Sequence, residues 1–139
     1  MYKQRYEYRE IMEELYNSFE GLADRIFVTS RPSVLDGNLK SFIVIRNSSG
    51  TRDRGDTYQT AKYLIHIFVR DKEGGIEDSV ELDKITNSIC DMMPFISSKF
   101  SAGDPNFLSS GSDSGFHYHI IQLSLTINKK TIIINDSNY

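Results

Sequence analysis

The chain has 139 residues, 25% of them charged, and a formal net charge of −3. That is the size of a single domain able to bury a core without a disulfide or metal staple, and the acidic balance argues against a molecule built as a cationic glove for nucleic acid. One cysteine, Cys90, excludes an internal disulfide. No apolar run approaches the length of a membrane-spanning helix, and Met1-Tyr2-Lys3-Gln4-Arg5-Tyr6-Glu7 leads into no apolar run of the signal-peptide kind. A non-secreted, non-membrane chain of one domain, residues 1–139, is expected.

Residues 9–22 carry Ile11, Met12, Leu15, Phe19 and Leu22 at helical spacing, with Glu10, Glu13, Glu14 and Glu20 left for the water side. Residues 25–29, Arg-Ile-Phe-Val-Thr, read as a first strand that Pro32 limits. A turn at Asp36-Gly37-Asn38 precedes a second strand at residues 42–45, whose unbroken apolar run implies cover on both faces, or one face in the core and one in an interface. A polar excursion near residues 47–59 follows. Residues 60–70 predict a central strand, with Tyr63, Ile65, Ile67 and Val69 on one face and Leu64, His66, Phe68 and Arg70 on the other.

Within residues 76–93 a second helix is expected, capped by Ser79, with Leu82, Ile85, Ile89 and Met92 or Met93 inward and Pro94 at its end. Residues 95–114, rich in Ser, Gly and Asp, read as a long loop docked by Phe95, Ile96, Phe100, Phe107 and Leu108. A strong strand at residues 120–128 has Ile121, Leu123, Leu125 and Ile127 on one face. A short last strand near residues 131–134 and a polar tail at 135–139 complete the chain. The expected fold is α+β: one curved mixed or antiparallel sheet of four to five strands, two helices on one face, order α-β-β-β-α-β(-β).

No catalytic kit emerges, and neither a catalytic residue nor a cofactor is assigned. His117 and His119, two apart on a strand, point the same way, which suits two metal ligands but leaves the third to His66 or an aspartate. Cys90 has no neighbouring histidine. Gly74-Gly75 and the stretch from Gly111 to Gly115 lack the spacing of phosphate loops. The carboxylates Glu77, Asp78 and Glu81 read as solvated charge at a helix start.

The charge pattern points to assembly. Arg46, Arg52, Arg54 and Lys62 form a basic cluster around the first long loop, while Glu77, Asp78 and Glu81 head an acidic helical approach. Copies of one chain could pair the two. Phe100, Phe107 and Leu108 are candidate apolar anchors. The order of elements, with the phrases Ala61-Lys62-Tyr63-Leu64-Ile65-His66-Ile67 and Gln122-Leu123-Ser124-Leu125-Thr126-Ile127, resembles the small tail-terminator and head–tail joining proteins of tailed bacteriophages. The resemblance implies a non-enzymatic ring subunit, often six around an axis, that docks on a tail-tube or connector protein, in the virion or in the host cytoplasm during assembly. It also implies that the first long loop projects toward the lumen or tube and that residues 95–114 touch a neighbour. The extra segment from residue 131 onward departs from the family's pattern. The alternatives are a small binding domain with a groove on the sheet near His66 or Phe68, then a nucleic-acid binder, then a metal-dependent enzyme.

Overall fold

The computed structural model describes residues 2–5, 8–51, 58–128 and 130–133. In chain order the elements are β1 (Tyr2–Arg5), α1 (Tyr8–Phe19), β2 (Arg25–Val28), β3 (Ser41–Thr51), β4 (Tyr58–Arg70), α2 (Ser79–Asp91), β5 (Phe95–Ile96), β6 (Phe100–Ala102), β7 (Asn106–Asp113), β8 (Phe116–Asn128) and β9 (Lys130–Ile133).

Helix α1 forms because its apolar stripe has a sheet to lie on: Ile11, Met12, Leu15 and Phe19 are all buried. Just beyond it Gly21 takes a left-handed conformation, φ 88°, that turns the chain toward β2. Not all of its glutamates face water as expected. Glu14 is half-buried with Oε2 enclosed and without a hydrogen-bond partner, and Glu10 lies 3.9 Å from Lys99 Nζ. Helix α2 begins one residue earlier than the Ser79 cap implies. Asp78 is the cap, its carboxylate accepting from the Glu81 N–H at 3.3 Å, and Ser79 is the first helical residue. A carboxylate both reaches the third helical N–H and complements the helix dipole. Leu82, Ile85 and Ile89 face the sheet as their spacing requires.

The main sheet has seven strands in the order β2-β3-β4-β8-β6-β5, with β7 also paired to β8. Strand β2 is parallel to β3, and every other pairing is antiparallel. Strand β4 occupies one edge of β8 along its length; β7 takes the other edge at residues 116–122 and β6 at 125–127. A separate two-stranded ribbon joins β1 to β9. The α+β class and the two helices on one face stand, but the expected four to five strands and their order do not. The stretch 95–114, read as loop, folds into β5, β6 and β7. Its polar, mostly exposed β7 has no buried residue, so the ladder offered by β8 determines its structure rather than its own pattern. The first polar excursion is shorter than expected, because β3 runs on to Thr51 and β4 starts at Tyr58.

Two cores flank the sheet. The inner one lies under the helices and gathers Ile43, Ile45, Tyr63, Ile65, Ile67, Leu123, Leu125 and Ile127 with the stripes of α1 and α2. The outer one is a small aromatic stack: Phe42, Phe68 and Phe116 with Phe27 and Tyr118 beside them. Phe42 and Phe68 stack at 4.5 Å, and Phe116 meets Phe42 edge-on at 5.2 Å. Leu35 and Leu39, from the segment between β2 and β3, close over it. Arg31 fastens that segment. Its guanidinium sits 5.9 Å from the Phe68 ring centroid and its Nη2 donates to Asp113 Oδ2 at 2.8 Å.

Candidate functional site

The three histidines occupy separate settings. His117 and His119 do share the inner face of β8, but each has its own partner. His117 Nδ1 bonds the carboxylate of Asp71 just past β4, and this bond, with the nearby charge of Glu77, raises its pKa above the ordinary 6.5. His119 Nδ1 lies 3.0 Å from the Thr86 hydroxyl, which donates its own proton to the Leu82 carbonyl at 2.8 Å. The hydroxyl must therefore accept, which places the His119 proton on Nδ1. His66 is on the outer face, its pKa lowered by burial and by Arg46, with Nε2 enclosed and unpartnered. Among the described residues no group of three His, Cys, Asp or Glu is placed to hold a metal ion.

Cys90 is half-buried on α2, and burial together with Asp91 and Asp104 pushes its thiol up, away from the thiolate a nucleophile needs. A cavity of about 510 Å³ opens where α2 begins, walled by Asp24, Lys40, Arg70, Asp71, Asp78 and Glu81 among others. Much of its polar wall already serves the fold. Asp24 accepts from the Lys40 N–H at 2.9 Å, Arg70 Nε donates to the Leu39 carbonyl at 2.7 Å, Asp71 holds His117, and Asp78 caps α2.

The expected assembly residues divide sharply. Arg46 and Lys62 are exposed on the outer face of β3 and β4, without ion pairs among the described residues. Arg52 and Arg54 lie outside the described residues. Glu77 is exposed, Asp78 is engaged as the cap, and Glu81 lies half-exposed in the first turn of α2. Phe100 is fully buried in β6, 5.5 Å from the Phe95 ring, so it belongs to the core and cannot be a surface anchor. Phe107 and Leu108 are surface residues of β7, 58% and 48% exposed. The Phe107 ring meets His119 edge-on at 5.2 Å, and Leu108 sits at a bulge in the ladder.

Sequence reasoning missed two features. The sheet has three strands whose outer sides pair with no strand among the described residues: β2 at one end, and β7 and the two-residue β5 at the other. Val28 on β2 is 41% exposed, as apolar surface at an edge. The faces also differ in charge. Arg25, Arg46 and Lys62 share the outer sheet face, whereas the exposed sides of α1 and α2 bear Glu13, Asp83 and Asp91 against Arg9 and Lys84, with exposed Glu20 just past α1. The alternation in residues 63–70, carried one step back, is the signal that could have placed Lys62 on the outer face; β2's place at an edge had no local signal.

No known family model matches the chain, and no curated protein matches it. No helix among the described residues is long and apolar enough to cross a membrane.

Proposed function

We propose that the chain is a non-enzymatic structural subunit that assembles with copies of itself into a ring. The resemblance of residues 61–67 and 122–127 to the tail-terminator and head–tail connector proteins of tailed phages is what suggests the kind of ring, one that docks on a tail-tube or connector protein. The observation that carries the reading is that β2 and β7, the longer strands with an outer side unpaired among the described residues, both expose apolar side chains, Val28 on one and Phe107 and Leu108 on the other, while the two-residue β5 with exposed Ile96 is a shorter third edge. Two different edges on one chain make a heterologous contact, which closes as a ring when the rotation allows. The histidines and the cavity wall contribute to the fold rather than converging on one reaction centre.

The test is molar mass by light scattering during size exclusion over a range of concentrations, with electron microscopy of each peak. Closed rings of uniform size are expected. A chain that stays monomeric at every concentration, and also when mixed with a tail-tube protein, overturns the reading. A second reading, a binding domain that uses the outer sheet face, draws on His66, whose enclosed Nε2 lacks a partner next to half-buried Leu64 and Ile120.

A further inference from the structure

We infer that strand β2 of one copy adds to the free edge of β7 in the next, antiparallel, with Val28 opposite Ser110 and Arg25 opposite Asp113. The inference rests on the self-assembly reading and names its contact. Three independent constraints lead to one register.

The first is strand direction. Strands β2 and β3 run the same way, and β4, β8 and β7 alternate after them, so β7 runs opposite to β2. A neighbour placed by a rotation that keeps the strand direction, as around a ring axis, therefore presents β2 antiparallel to β7. That is the more stable ladder.

The second is the face each side chain takes. On β7, Ser110 and Ser112 pair with His119 and His117 and share the helix side; Ser109, Gly111 and Asp113 share the outer side. On β2, Ile26 joins the inner core and Phe27 the outer one, so Val28 is on the helix side and Arg25 on the outer side. A joined sheet keeps its faces only if Val28 meets Ser110 or Ser112. Opposite Ser112, Arg25 would fall on Gly115 in the turn; opposite Ser110, all four residues of β2 lie on the regular stretch after the bulge.

The third is chemistry, which was not used to choose the register. It sets Arg25, exposed and without an ion pair among the described residues, across from the Asp113 carboxylate. Asp113 Oδ2 holds Arg31 at 2.8 Å and retains acceptor sites for a second guanidinium. The register also sets Phe27 opposite Gly111, whose outer face the Tyr118 hydroxyl covers, and it ends Val28 beside Leu108 and Phe107.

Disulfide trapping in a Cys90→Ser background tests this. A bond closed within one chain leaves the mass on a denaturing gel at that of a monomer, so covalent dimers and larger species report bonds between copies. The double variant Val28→Cys with Ser110→Cys is expected to give a ladder of covalent oligomers on mild oxidation. An equal mixture of the two single variants should give only a covalent dimer, and each single variant alone should stay monomeric on a denaturing gel. Cross-linking by Ser110→Cys alone would mean β7 pairs with β7 and overturns the proposal. Oligomers in light scattering without any cross-link overturn it too, while leaving the assembly reading intact; no oligomers under any condition remove both. Arg25→Glu, which sets like charges opposite each other, is expected to raise the concentration for half-assembly roughly 3–5-fold, with the monomer's unfolding curve unchanged. An unaltered assembly curve would rule out this register.

Discussion

Asp71 controls the charge of His117, and the sign of its effect on stability follows from that. The folded-state pKa of His117 is raised by the Asp71 hydrogen bond and by the charges of Asp71 and Glu77. A raised pKa adds stability that is fully present below the unfolded value of 6.5 and is lost as pH rises through the folded value. Asp71→Asn should therefore destabilise the protein most at about pH 5.5 and progressively less toward about pH 8.5. Urea unfolding across that range, with an NMR titration of the imidazole, measures it, and a gap constant with pH would show that charge plays no part. Arg31 acts at the same scale but by position. Arg31→Ala removes a cation–π contact and a half-exposed ion pair, together about 1 kcal/mol. Its distinct sign should be earlier protease cleavage within residues 29–40, whose hold on the aromatic stack it loosens; cleavage at the wild-type rate would show that Leu35 and Leu39 suffice.

Among the elements, the β7–β8 hairpin depends most on backbone geometry. Its turn residues Ser114 and Gly115 have φ of 49° and 86°, the paired positive values of a type I′ turn. Gly115→Val should lower stability by about 1–2 kcal/mol and disturb β7 first, which amide exchange along residues 106–113 would show. Uniform loss of protection across the sheet would instead mean that the hairpin unfolds only with the whole. Phe100 gives the contrasting case. Because it is buried, Phe100→Ala should cost about 3–5 kcal/mol, and a denaturant curve reads this without any assembly. These two cases mark what the sequence revealed. The stripes of α1 and α2 and the alternation of β4 and β8 were legible because half-buried elements repeat at 3.6 or 2 residues. The segment 95–114 was not, because β7 pairs through its backbone with few side chains buried, and because an apolar residue in a Ser/Gly-rich stretch looks alike whether it ends in the core, as Phe100 does, or on the surface, as Phe107 does. The basic cluster of Arg46 and Lys62 was legible from their places on either side of the first long loop, although Arg46 stands opposite Leu64 and Lys62 opposite Ser49; the edge position of β2 depends on a parallel pairing that no local pattern encodes.

For the whole molecule, the net charge of −3 conceals a division between faces. The sheet separates Arg25, Arg46 and Lys62 from the acids of the helical layer, and at ordinary ionic strength the Debye length of about 8 Å is shorter than the distance of about 10 Å between packed layers. Each face therefore meets a partner largely with its own charge. A charged polymer such as immobilised heparin is expected to retain the protein at low salt despite its overall sign, and to release it as salt rises. Reversing two charges with Arg46→Glu and Lys62→Glu should abolish retention and keep the unfolding free energy within about 0.5 kcal/mol, since both side chains are exposed and unpaired among the described residues. The same variant leaves Arg25 and the β2 and β7 edges intact, so its copies should still associate. Loss of retention with association preserved would assign the basic face to a partner other than the neighbouring copy. Loss of both would join that face to the contact between copies, and a wild type that passes through unretained would show that Arg25, Arg46 and Lys62 do not act as one basic surface.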